Sequence, residues 1–105
     1  MHPEAAGELA SLPEGERQAM HNAFEKLTLY GDQLPFSRSS KVKGALQLRE
    51  LRPWSGYSPW RGFYRRPGET LVIAAIGPEA RANPQGFRRA VRAAGERLIQ
   101  LEQER

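Results

Sequence analysis

The 105-residue chain contains no cysteine. This excludes a disulfide scaffold, a thiolate metal site and a cysteine nucleophile, and it fits a reducing compartment. Histidine is nearly absent too: His2 and His21 are too far apart for ligand spacing. No acidic cluster resembles a cation site and no glycine loop is built to cradle phosphate. Metal-dependent or histidine-based chemistry is therefore not expected, nor is a cofactor. Long apolar runs are also missing. The longest, Leu71–Ile76, falls far short of the roughly 20 residues that span a bilayer. The opening Met-His-Pro-Glu has neither the basic start nor the apolar stretch of a signal peptide. A cytoplasmic protein without a membrane partner is expected. Strong core formers are scarce as well. Leu, Ile, Val and Phe make up one-fifth of the chain, near the border of disorder, so the core is thin and a stabilising partner is expected.

Charge is plentiful and unevenly placed. Residues 1–36 carry six acids and two bases, net −4; residues 37–105 carry six acids and fourteen bases, net +8. Thirteen of the sixteen bases are arginine, whose planar fork matches phosphate geometry. A basic body behind an acidic front suggests a polyanion partner. GC-rich coding would also favour Arg and Ala.

The pattern predicts one domain over residues 1–105. Pro3–Leu12 reads as a short helix with proline in its first turn. Pro13 opens a second, whose Met20, Ala23, Phe24, Leu27 and Tyr30 make one apolar face, with Gly31 as its stop. Residues 32–44 form a polar, basic connection. Strands are predicted over 45–52, Trp60–Arg66 and Thr70–Ile76, with a loop at Trp54–Ser58 and a turn at Pro67-Gly68. Asn83 then caps a long helix with Pro84 at its first position. The order α-α-β-β-β-α implies an α+β fold: an N-terminal helical hairpin, a twisted antiparallel sheet of at least three strands, and a C-terminal helix.

Lys41-Val42-Lys43-Gly44, Leu48-Arg49-Glu50-Leu51-Arg52 and Trp60-Arg61-Gly62-Phe63-Tyr64 follow one another between Leu34 and Leu98. In that order and spacing they resemble the RelE/ParE superfamily of type II toxin–antitoxin toxins, most closely the phage-derived HigB-like branch. The resemblance implies a metal-independent, ribosome-dependent mRNA endoribonuclease held inactive by a cognate antitoxin, with mRNA and the ribosome as further partners. Relatives of the same fold poison DNA gyrase instead, so a non-enzymatic binding protein is the alternative. Two features depart from the family pattern. A first strand commonly precedes the helices there, whereas only Met1-His2 do here. The segment after the third strand offers Arg81 and Phe87 in place of the usual Lys, His or Tyr.

RNA cleavage needs an activated 2′-hydroxyl, a stabilised dianionic phosphorane and a protonated leaving oxygen, and charge stabilisation is often the largest of these. The resemblance casts Arg61 as the strand arginine at the scissile phosphate and Arg52 as a basic group at the cleft rim, with Arg81 approaching from the last loop. The alternatives are solvated charges or antitoxin contacts. Strand alternation puts Phe63 and Arg65 on the Arg61 face. Glu50 is a candidate general base or an ion-pair partner of Arg52 or Lys43. Tyr64 is a core or a catalytic residue. Trp54 and Tyr57, flanked by arginines, suit stacking on unpaired bases or form a small cluster beneath the loop. Lys41 and Lys43, with Arg38, suit backbone phosphates.

Overall fold

The computed structural model describes residues 1–45, 47–66 and 70–104, with Asp32 by its backbone alone. The predicted Pro67-Gly68 turn lies outside the described residues. Helix α1 (Pro3–Ala10) starts at His2, whose Nδ1 accepts the Glu4 N–H. Helix α2 (Glu14–Tyr30) ends at Gly31, which adopts a left-handed φ of 53° while its N–H bonds Leu27 O, as its place after the last apolar residue predicted. Helix α3 (Pro84–Gln103) opens as expected: Asn83 Oδ1 accepts the Gly86 N–H at 2.9 Å and Pro84 takes the first turn.

Four strands, β1 (Ser39–Lys41), β2 (Arg49–Leu51), β3 (Trp60–Arg65) and β4 (Val72–Pro78), form one antiparallel sheet in the order β1-β2-β3-β4. The architecture is the α+β arrangement expected from the sequence, with one more strand than the minimum. β1 falls inside the predicted polar connection. Its serines are buried because they have polar partners: Ser39 pairs with the Tyr64 hydroxyl, and Ser40 accepts from Arg52 at 2.8 Å. The predicted strand over 45–52 shrinks to Arg49–Leu51. A turn precedes it, with Ala45 N–H on Val42 O, Leu48 N–H on Ala45 O, and Gln47 at φ 58°.

Both sheet faces are covered. On one, α1 and α2 bury Leu9, Met20 and Leu27 against Leu51, Tyr64 and Ile73. On the other, α3 lays Ala90, Ala94 and Leu98 over Phe63, Ala74 and Ala75. Alanines let α3 come close. A Cβ on Gly77 of β4 would sit 2.4 Å from the Ala90 Cβ, so glycine there is a condition of the packing. The outer edge of β4 is closed by α1 and α3. His2 N–H bonds Ile73 O at 2.9 Å, Glu8 Oε1 accepts the Ile76 N–H at 3.0 Å, and Arg97 reaches Ala74 O at 3.0 Å. An edge satisfied in this way cannot recruit another strand.

Candidate functional site

Strand parity builds the site. Glu50 faces Phe63 across β2–β3, and Arg61 lies two residues before Phe63, so Glu50, Arg52 and Arg61 share the α3 face of the sheet. Their side chains form one chain of alternating charge. Arg52 meets Glu50 Oε1 at 2.9 Å, Arg61 Nε lies 3.8 Å from the same oxygen, and Arg61 Nη2 meets Glu79 Oε2 at 2.9 Å. Arg61 Nη1 donates to Ser58 O and Trp60 O, at 2.7 and 2.9 Å. The Arg61 side chain is only 6% exposed, Arg52 22% and Glu79 27%, so the chain runs from a buried centre to two wetter ends. Burial pushes the Arg61 guanidinium below the ordinary arginine range, against the pull of Glu79 and Glu50 and with a smaller push from Arg52. Two arginines and two glutamates cancel, so the centre carries no net charge. Arg61 Nε is buried without a hydrogen bond.

The positive surface lies around this centre. Arg81 is exposed on the loop two residues past Glu79. Arg52 stacks on the exposed Phe36 ring, 4.6 Å from its centroid. Trp54 and Tyr57 are 53% and 89% exposed in the turn that follows Arg52. Trp54 and Ser55 both take left-handed backbone angles, φ 53° and 52°, a rare choice for side-chain-bearing residues. The turn is anchored: the buried Ser58 Oγ donates to Glu16 of α2 at 2.6 Å and accepts the Trp60 N–H.

The structure therefore gathers Glu50, Arg52 and Arg61, and sets Trp54 and Tyr57 beside them. Arg65 shares their face but sits toward the far end of β3, 3.5 Å from Glu102 of α3. Lys41 is exposed and pairs in register with Arg49, which puts it on the opposite face from Glu50; Lys43 is exposed in the following turn. Tyr64 is buried on the α2 side, with its hydroxyl held by Ser39 and Arg49. Of the two histidines, His2 is buried at the α1–α3 junction, its Nε2 3.3 Å from Gln100 Oε1, and His21 is exposed on α2. Neither approaches Arg61 in the contacts described. Among the described residues no group of three His, Asp or Glu side chains is placed to hold a metal ion, and no helix is long and apolar enough to cross a membrane.

Sequence reading missed Glu79, Ser58 and Ser40. One signal for Glu79 existed: it is the first carboxylate after the third predicted strand, just past Gly77-Pro78, where an antiparallel partner returns it to the start of the second.

A family model described as phage-derived protein Gp49-like matches residues 7–77. The match takes in the second half of α1, all of α2 and the sheet through Gly77, and stops before Glu79 and α3. No curated protein matches the chain. With two-thirds of its length covered, from the helical hairpin to the last strand, the chain belongs to the Gp49-like phage-derived protein family, a family associated with RelE/HigB-like toxins.

Proposed function

We propose that the chain is the toxin of a type II toxin–antitoxin pair and that it cuts mRNA at the ribosome in the cytoplasm without a metal. The observation that carries the reading is the Arg52–Glu50–Arg61–Glu79 chain, buried at its centre and open at Arg52. Arg52 and Arg81 reach the scissile phosphate and stabilise the phosphorane, where preorganised charge is most effective. Glu50 accepts the 2′-hydroxyl proton. Arg61 acts as a positioning residue, holding Glu50 and Glu79 from behind. Trp54 and Tyr57 stack on unpaired bases, and Lys41, Lys43 and Arg65 attract the backbone. The cognate antitoxin is an acidic or amphipathic segment that covers this basic surface.

A second reading, a non-enzymatic toxin that acts on gyrase, draws on one observation. The Arg61 charge is already compensated by Glu50 and Glu79, and the described contacts bring no histidine to it. Induced expression separates the two. Growth arrest with discrete mRNA cuts at codon boundaries, lost in Arg52→Glu and Arg81→Glu, supports cleavage. Growth arrest with intact message and damaged DNA supports gyrase. Unimpaired growth at full expression overturns the toxin assignment.

A further inference from the structure

The α2 side of the Trp54 turn holds a hollow of about 150 Å³. A cavity of about this size admits one benzene-sized ring, far less than the several hundred Å³ of a drug-sized site. Its floor is apolar, from Ala19 and Ala23 of α2 and Leu51 of β2. One wall is the Trp54 side chain. The mouth carries Lys26, Arg38 and Arg52, with Asn22 beside them, and among the described residues no carboxylate lines the hollow. Arg52 is tied to Glu50, and Asn22 Oδ1 accepts from Gln18. Lys26 is exposed and Arg38 half-buried.

These features ask for one kind of occupant. The floor and the indole want a flat apolar body, and the cations want an anion joined to that body. A nucleotide carries both in one unit. An acidic peptide supplies the anion without the ring, and an apolar side chain supplies the body without the charge. The wall is set in advance, because the left-handed Trp54–Ser55 pair is held to α2 through Ser58 and Glu16, and preorganisation reduces the entropy lost on binding.

We propose that this hollow receives a single-ring base of single-stranded RNA, stacked on Trp54, with its phosphate on Lys26 and Arg38. The inference rests on the reading of the chain as an RNA-directed toxin and adds a base subsite next to the Arg52–Glu50 pair. Arg52 lines the hollow and also binds Glu50, so the nucleotide seated here shares that arginine with the ion-pair chain on the α3 face. The site then favours a pyrimidine on the strand that crosses Arg52.

Amide-shift titration by NMR tests this on the full chain, with UMP, AMP, inorganic phosphate and a hexaglutamate peptide as separate probes. UMP is expected to shift residues 19–26 and 52–58 and to bind more tightly than the other three. Lys26→Glu should weaken UMP about tenfold, the loss of one charge-assisted contact. Ala23→Leu, which fills the floor, should abolish saturable UMP binding. Equal binding of phosphate or hexaglutamate, AMP binding as tightly as UMP, shifts elsewhere on the molecule, or an unaffected Lys26→Glu protein would each overturn the subsite. The broader reading fails separately. A chain that cuts message but does not bind UMP here sinks the subsite alone. A chain that binds UMP here yet neither arrests growth nor cuts message sinks the toxin reading and leaves the subsite standing.

Discussion

Arg97 and Arg61 each engage two glutamates. Arg97 holds Glu4 and Glu8 of α1 at 3.2 and 2.9 Å, and Arg61 holds Glu50 and Glu79 at 3.8 and 2.9 Å. The surroundings differ. Glu4 is 68% exposed and Glu8 34%, and Glu8 makes two short bonds to one guanidinium. Those hydrogen bonds raise the Arg97 pKa despite partial burial, whereas at Arg61 desolvation wins and the shift is downward. The linkage signs are therefore opposite. The Arg97 interaction stabilises the fold at neutral pH, and that stabilisation is lost only as pH rises through its raised value. The buried Arg61 cation costs stability at neutral pH, and the cost is relieved as pH rises through its lowered value. Arginine in proteins stays protonated at neutral pH, so both groups are cations there. One arginine closes a sheet edge at a gain. The other is kept charged inside the protein at a cost, which is common where charge is retained for function.

The sharpest way to break the comparison is to remove each guanidinium in turn. Arg61→Ala leaves Glu50 without its central partner and Glu79 without its cation, and should destabilise by about 3–5 kcal/mol, the range for stranding a buried charge. A denaturant titration reads this directly. Loss of less than about 1 kcal/mol would mean that the network relaxes into water, and the idea of a costly buried centre would fail. Charge reversal at Arg61 is a poor probe of toxicity for the same reason. It places a third carboxylate beside two others, so loss of growth arrest would report unfolding.

Arg97→Ala should cost less, about 2 kcal/mol, because Glu8 keeps its Ile76 N–H and Glu4 returns to solvent. It should also loosen the β4 edge, seen as faster amide exchange at Ile73–Ile76 than in Arg61→Ala. Equal costs for the two substitutions would erase the distinction.

The comparison also shows how far sequence reaches. The helices were legible because their periodicity and caps are local: Asn83-Pro84 starts α3, and Gly31 ends α2. The aromatic and apolar strands β3 and β4 were legible for the same reason. β1 was not, since Ser39-Ser40-Lys41 has no apolar alternation and is a strand only because Tyr64 and Arg52 satisfy its serines from across the sheet. The extent of β2 was overread because Leu48 is buried in the turn rather than on the strand. At the candidate site, parity within each strand puts Glu50 with Arg52 and Arg61 with Phe63, but the register that brings the two sets to one face comes from the structure. Burial of Arg61 was not legible either. It depends on Glu79, eighteen residues away, and on main-chain oxygens at Ser58 and Trp60. The edge strap was invisible too, because Glu8 and Arg97 are 89 residues apart.

Arg52 stands between the two extremes. It is 22% exposed, bonds Glu50 and Ser40, and lies over Phe36. Arg52→Ala should cost about 1 kcal/mol, since Glu50 keeps Arg61 and the partly hydrated end loses least. Growth arrest should nevertheless disappear while the thermal transition stays cooperative. A stable Arg52→Ala protein that still arrests growth would move the functional surface elsewhere.

The smallest effect belongs to Arg65 and Glu102, a pair of the same two residue types at 3.5 Å with the carboxylate 67% exposed. Glu102→Ala should change stability by less than about 0.5 kcal/mol, because solvent screens the attraction and ordering two long side chains offsets it. Raising salt from 0.1 to about 1 M, which shortens the screening length from about 10 to 3 Å, should remove even that. The same salt step should leave most of the Arg61→Ala penalty in place, since water and ions do not reach its centre. If Glu102→Ala costs as much as Arg97→Ala, or if salt erases the Arg61 penalty, then the number of charges rather than their burial governs this protein, and the contrast between its two arginine pairs is without physical content.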